Sequence, residues 1–210
     1  MPLGIEALTV RFNPQSLLCT RWLVRVAATL ARKYASLMKQ PTIVVTSGLP
    51  GSGKSTIAEG IGRLLRAPVF SIDPAEAAMW VSGLPKESTG IAAYRVVEAI
   101  ATENLKLGLT VIVDAVNPVE QARQMWRDLG DRFQVPVCFI ECFCGDDQIH
   151  RTRIEKRVRN IAGMPEMTWE RVLERKAEYE DWRDTRLKLD TATEAPEVLI
   201  ARAMDYVQSI

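Results

Sequence analysis

The run Gly48-Leu49-Pro50-Gly51-Ser52-Gly53-Lys54-Ser55 fits the pattern G-x-x-x-x-G-K-[ST] in full. Glycines so spaced let the backbone turn until successive N–H groups point inward, a shape that cradles phosphate oxygens. Lys54 is placed to reach the β- and γ-phosphates of a nucleotide, Ser55 to ligate a Mg2+ ion bridging those oxygens, and Thr56 to touch the α-phosphate. The bland alternative is a glycine-rich turn whose lysine is only a surface charge. An apolar strand before the run and a helical pattern after it argue against that. A dinucleotide fingerprint G-x-G-x-x-G is not available, because Thr56 stands three residues beyond Gly53.

Two aspartates follow apolar runs in the same way that the glycine-rich loop follows the first. Asp73 comes after Val69-Phe70-Ser71-Ile72, and Asp114 after Thr110-Val111-Ile112-Val113. In an open parallel sheet ligands sit outside the carboxyl ends of the strands, so these residues share a rim with the phosphate loop. Carboxylates there suit two tasks, holding Mg2+ and accepting a proton from an attacking hydroxyl. A helix N-cap is the structural alternative for each, and Asp73 before Pro74 fits it well.

A third cluster is cationic: His150-Arg151-Thr152-Arg153-Ile154-Glu155-Lys156-Arg157-Val158-Arg159. Arg153 and Arg157 are four apart and share a helix face, from which guanidinium groups could stabilise charge spread over a transferring phosphoryl group. A solvated basic face is the competing explanation. His150 reads as a surface or structural residue, and Trp80, Trp126, Trp169 and Trp182 as packing residues.

The elements that must position these groups alternate as βα units from Pro41 onward, which implies a mostly parallel sheet. Strands are expected at Thr42–Thr46, Pro68–Ile72, Thr110–Val113, Val135–Phe143 and Arg186–Leu189. A helix from about Ile91 to Leu107 should end at Gly108, and Pro118 should open the next. Asp146 or Asp147 can cap the helix that carries His150 to Arg159, and Thr168 can cap another.

Residues 1–40 stand apart from the domain at 41–210, whose lid should span about 146–166. They contain one acidic residue, Glu6, and an amphipathic helical pattern from about Ser16 to Lys39 with Arg21, Arg25, Arg32 and Lys39 on one stripe. Such a basic extension could lie on anionic lipid, serve as a targeting segment, pack on the domain or reflect an early start codon.

The totals exclude several classes. With 27 Lys and Arg against 26 Asp and Glu, no global field draws the chain to nucleic acid, which remains possible as a local contact only. A 47% apolar share over 210 residues supports a folded α/β domain without staples. Cys138, Cys142 and Cys144 alternate with Ile140 on one face of an apolar run, as buried free thiols would. With no paired C-x-x-C and one histidine, zinc is not expected, and a reduced, cytoplasmic setting is. No apolar stretch approaches the roughly 20 residues of a spanning helix.

With these residues in view the chain resembles the P-loop kinases that include polynucleotide 5′-hydroxyl kinases, zeta-toxin-type kinases and chloramphenicol phosphotransferases. The resemblance runs from about Pro41 to the C-terminus and rests on four segments: Gly48 to Thr56, Ser71-Ile72-Asp73, Val111 to Asn117, and Arg153-Ile154-Glu155-Lys156-Arg157. It implies a P-loop NTPase fold, a five-stranded sheet in the order 2-3-1-4-5 with helices on both faces, and a helical lid. It also implies ATP and Mg2+ as ligands, Asp73 as general base, Asp114 positioning substrate or metal-bound water, and Arg153 with Arg157 as lid contacts, although Arg151 or Arg159 align nearly as well.

The expectation is therefore transfer of the γ-phosphoryl group of ATP to a hydroxyl of an unnamed acceptor, with residues 74 to 108, including Met79, Trp80, Lys86, Glu87 and Tyr94, forming its pocket. A nucleoside monophosphate kinase is the near alternative. Between Asp73 and Asp114 only Lys86, Arg95 and Lys106 could grip an acceptor phosphate, which counts against it. A nucleotide-hydrolysing switch without an acceptor is a further alternative.

Overall fold

A computed structural model describes residues 40–158 and 161–210. The N-terminal helix expected over 16–39 lies outside the described residues. Five strands form one sheet in the order β2-β3-β1-β4-β5, and all four pairings are parallel. The strands are β1 (Ile43–Ser47), β2 (Val69–Ser71), β3 (Val111–Asp114), β4 (Val137–Phe143) and β5 (Leu187–Asp190). The described helices are α1 (Lys54–Leu65), α2 (Ile72–Val81), α3 (Lys86–Lys106), α4 (Glu120–Phe133), α5 (Asp147–Lys156), α6 (Trp169–Ala177) and α7 (Pro196–Ser209).

Successive strand residues point to opposite faces, and here both faces are apolar, as a sheet covered by helices on both sides requires. Ile43, Val45, Val111, Val113 and Phe139 meet one layer, made by Ala93, Val97, Ala101 and Leu105 of α3 and by Met125, Trp126 and Leu129 of α4. Val44, Ile112, Cys138, Ile140 and Leu189 meet the other, made by Ile57, Ala58 and Ile61 of α1 with Leu199 and Ala203 of α7. The i, i+4 spacing along α3 gives the single stripe that packs. Trp126 has no exposed surface; truncating such a residue to Ala costs about 3 to 5 kcal/mol.

The element boundaries differ from the sequence expectation where side chains compete with propensity. Ile72 opens α2 instead of closing β2, so Asp73 sits in the first turn of a helix whose N-cap is Ser71, not at a cap itself. The helix expected from Ile91 starts at Lys86, despite Ser88, Thr89 and Gly90. Thr89 accepts from Trp80 Nε1 at 2.6 Å and donates to Glu76 Oε1 at 3.2 Å, which ties this turn to α2. Pro118 lies one residue ahead of the N-cap Val119 instead of inside α4. Cys138 and Cys142 are buried as expected, and burial pushes their thiols up to about 11 and about 12. Cys144 lies past the end of β4 and is only half-buried.

Candidate active site

The phosphate loop begins where β1 ends. Gly48 has φ 140°, and a Cβ built there would lie 2.1 Å from Cys142 O of β4, so no other residue fits between the two strands. Gly53, at φ 85°, is the N-cap of α1, and Lys54 is its first helical residue. This helix start has no side-chain cap and no acidic residue in its first turn. Its first N–H groups and the positive end of its dipole are therefore left for an external anion. The Ser52 hydroxyl inside the loop is buried without a hydrogen-bond partner, and Lys54 is 3% exposed.

A cavity of about 460 Å3 opens beside the loop, bounded by Gly51 and Gly53 to Ile57, by Arg153 and Lys156 of α5 and its C-cap Arg157, and by Thr191, Glu194 and Pro196 beyond β5. Arg153 donates to Thr191 Oγ1 and Thr191 O, both at 2.7 Å, and Thr191 Oγ1 lies 3.0 Å from Ser52 O. One threonine thus ties α5, the loop and the end of β5. Arg157 is the C-cap of α5 with ψ 126°, so the helix expected through Arg159 ends three residues earlier; Arg157 still lines the cavity. Arg151 instead pairs with Glu155 at 2.7 Å on the exposed face.

His150 is buried, where a surface position was one expectation. The carbonyl of Pro50 can only accept, so His150 Nε2 carries the proton it donates at 2.8 Å. Its ring meets Trp169 edge-on at 5.2 Å. Burial holds the imidazole below its usual range, with Arg153 and Lys176 acting in the same sense and the Pro50 carbonyl and Asp147 against it. Asp146 caps α5 by accepting from the N–H groups of Gln148 and Ile149, and Thr168 caps α6 by accepting from that of Arg171.

Asp114 is the last residue of β3 and 5% exposed. Thr46 Oγ1 of β1 donates to its Oδ1 at 3.3 Å, and Ser71 Oγ of β2 to its Oδ2 at 3.2 Å. The carboxylate therefore staples three strand ends together. Three residues on, Asn117 has φ 49°; its Nδ2 donates to Ser47 Oγ at 2.9 Å, and its Oδ1 accepts from Trp126 Nε1 at 2.9 Å. Arg123, with no exposed surface, donates to the carbonyls of Asn117, Pro118, Glu180 and Asp181 and lies 4.0 Å from the Trp182 ring centroid.

Asp73 lines a second cavity, also about 460 Å3, on the other side of the loop crown at Pro50. Trp80 and Lys86 line it as the sequence suggested, with Lys86 Nζ 4.8 Å from the Trp80 ring. Met79 and Tyr94 pack against the core instead, and the Asn117 N–H donates to the Tyr94 hydroxyl at 3.0 Å. Burial raises the Tyr94 hydroxyl far above its usual range; the charge of Asp73 adds to this, whereas the Asn117 bond and the charge of Arg175 oppose it. Glu87 is exposed and lies outside the cavity lining.

The opposite wall was missed by sequence reasoning: residues 164–168, with Arg171 and Arg175 of α6. Arg95 and Lys106, weighed as anion-binding candidates, pair instead with Glu98 and Glu103 on α3. The available signal was the i, i+4 spacing of Arg171 and Arg175 directly after the Thr168 cap.

Fold and loop together define a P-loop kinase-type domain. The chain belongs to the AAA_33 family, an AAA domain, whose profile matches residues 43–179. Adenylyl-sulfate kinase from Pseudomonas aeruginosa is 24% identical over 183 residues, 81% of this chain and 87% of that protein. The bifunctional polynucleotide phosphatase/kinase from Schizosaccharomyces pombe is 27% identical over 128 residues, 60% of this chain and 28% of that larger protein. The structure of the Mycobacterium tuberculosis APS kinase in complex with AMPPNP and APS superposes with a TM-score of 0.59 at 17% identity, over 80% of this chain and 98% of that one. At that identity the likeness is one of fold. Among the described residues no helix is long and apolar enough to cross a membrane.

Proposed function

We propose that this chain is an ATP-dependent kinase that transfers the γ-phosphoryl group to a hydroxyl of an acceptor bound in the Asp73 cavity. The observation that carries the reading is that the uncapped start of α1 and Asp73 line two separate cavities of similar volume, each of which includes a residue of the phosphate loop. Gly51 and the uncapped start of α1 face one, and the loop crown at Pro50 faces the other.

In this reading ATP occupies the first cavity, with its phosphates on the N–H groups of residues 51–56 and on Lys54, and with Arg153 and Arg157 along its flank. The acceptor oxygen attacks phosphorus in line as the bond to the β,γ-bridging oxygen breaks, ADP departs, and the hydroxyl proton passes to the Asp73 carboxylate. Ser55 and Asp114 are the residues that would hold Mg2+. Asp114 already accepts from two hydroxyls and retains lone pairs, and no protein cage of three ligands is needed, because Mg2+ keeps several waters. Bound there, the ion would neutralise charge building on the phosphate oxygens.

Asp73→Asn tests the assignment. Transfer from [γ-32P]ATP should fall by about 10² to 10⁴ while ATP affinity holds, since the amide keeps the shape and loses the base. Unchanged turnover would remove Asp73 from the mechanism, and absence of magnesium-dependent ATP affinity in the native chain would remove the kinase reading.

A further inference from the structure

We propose that the acceptor is a small phosphorylated or sulfated alcohol, whose oxyanion is held by Arg171 and Arg175 with Lys86 while its hydroxyl meets Asp73; this rests on the kinase reading above.

Arg175 carries the argument. It lines the Asp73 cavity, its Nε is buried with no hydrogen-bond partner, and no salt bridge among the described residues includes it. A buried guanidinium donor left unmatched is costly, and other sheltered arginines among the described residues are matched. Arg123 donates to four carbonyls, Arg127 pairs with Asp184 and Arg186 with Glu141. The Nε atom is closed to solvent, so an oxyanion in the cavity would meet the terminal guanidinium nitrogens of Arg175 and supply the counter-charge that no salt bridge among the described residues gives it.

Its neighbours fit the same ligand. Arg171 lies one turn before it on α6 and lines the same cavity, engaging Glu174 through one guanidinium nitrogen. Lys86 approaches from the start of α3, its ammonium over the Trp80 ring. Carboxylates also face the cavity, and they differ in role. Glu76 is bound by the Thr89 hydroxyl, Asp73 is the proton acceptor, and Glu166 belongs to the segment before α6. The volume of about 460 Å3 fits a sugar phosphate or a mononucleotide.

Sulfate titration tests the oxyanion site without needing turnover. The full chain, loaded with Mg2+ and a non-hydrolysable ATP analogue, is titrated with inorganic sulfate and followed by calorimetry. Saturable binding is expected, weakened about tenfold or more in Arg175→Met and less in Arg175→Lys, which keeps the charge. Arg171→Met should weaken it too and stands in if Arg175→Met does not fold. Sulfate affinity indifferent to these substitutions overturns the proposal.

Transfer assays then use matched acceptors: ribose and ribose 5-phosphate, a nucleoside and its 3′-monophosphate, and a 5′-hydroxyl oligonucleotide. Phosphorylated small alcohols should be preferred, with Arg175→Met raising KM at least about tenfold and leaving kcat within about threefold. Preference for the neutral partners, or for the oligonucleotide alone, overturns the proposal and leaves the kinase reading standing. If the nucleotide analogue itself does not bind, the kinase reading fails instead, and the sulfate titration of the unloaded chain still reports on Arg175.

Discussion

Two of the cavities beside the phosphate loop, the one along α5 and the one at Asp73, are alike in volume and unlike in construction. The first, proposed for the nucleotide, is walled by the loop motif together with α5 and residues beyond β5, and Arg153 is fastened through Thr191 to the loop itself. The second, proposed for the acceptor, gathers α2, the start of α3, the segment 164–168 and α6 from across the chain. The former is tied across segments by hydrogen bonds within the protein; the latter is lined by an arginine that no salt bridge among the described residues includes. On the proposed reading, the groups that meet the phosphates come largely from one motif, and the groups that would meet the acceptor come from distant parts of the chain.

Breaking the reaction on the acceptor side should have the largest effect: Asp73→Asn is expected to lower turnover by about 10³, read by product formation, with nucleotide affinity intact. On the nucleotide side Lys54→Met should cost about 10² to 10³ in turnover, as loss of a donor to transition-state charge does, and here nucleotide affinity should fall as well. The contrast between the two affinities is the discriminating measurement.

Arg123→Met sharpens the comparison through stability. Four carbonyls lose their donor at once, and denaturant unfolding should show a loss of about 3 kcal/mol. Because Glu180 and Asp181 follow α6, acceptor KM should suffer more than nucleotide affinity. Thr191→Val, which unties lid from loop, should weaken nucleotide binding by about 1 kcal/mol and leave acceptor KM unchanged.

The smallest effect concerns pH. The unfolded chain protonates His150 near pH 6.5, whereas the native imidazole resists protonation because it is buried. The unfolded state then binds more protons, so stability falls as pH drops below about 6.5 through the native value. His150→Gln should flatten that slope in melting temperatures measured between pH 5 and 7.5.

Much of this organisation is legible in the sequence, for reasons that are local. The loop is a contiguous motif between a β-branched run and a helical one, so its place was evident, and Asp114 was recognisable as the end of an apolar strand. The order 2-3-1-4-5 came through resemblance and is the order observed. What was not legible depends on contacts between distant residues. The spacing of Arg171 and Arg175 puts both on one helix face but does not say that this face lines a cavity with Asp73, and nothing near Arg123 announces four carbonyls from two segments. The start of α3 at Lys86 was hidden because Ser88, Thr89 and Gly90 disfavour a helix unless Thr89 has partners on another one.

The bond from His150 to Pro50 makes one rigid rod answer to both chambers. Arg153, on the same helix and three residues away, forms part of the wall on one side, while Pro50 forms part of the wall on the other. A displacement of α5 would therefore act on the crown of the loop through that one bond, so the two walls are not independent of each other.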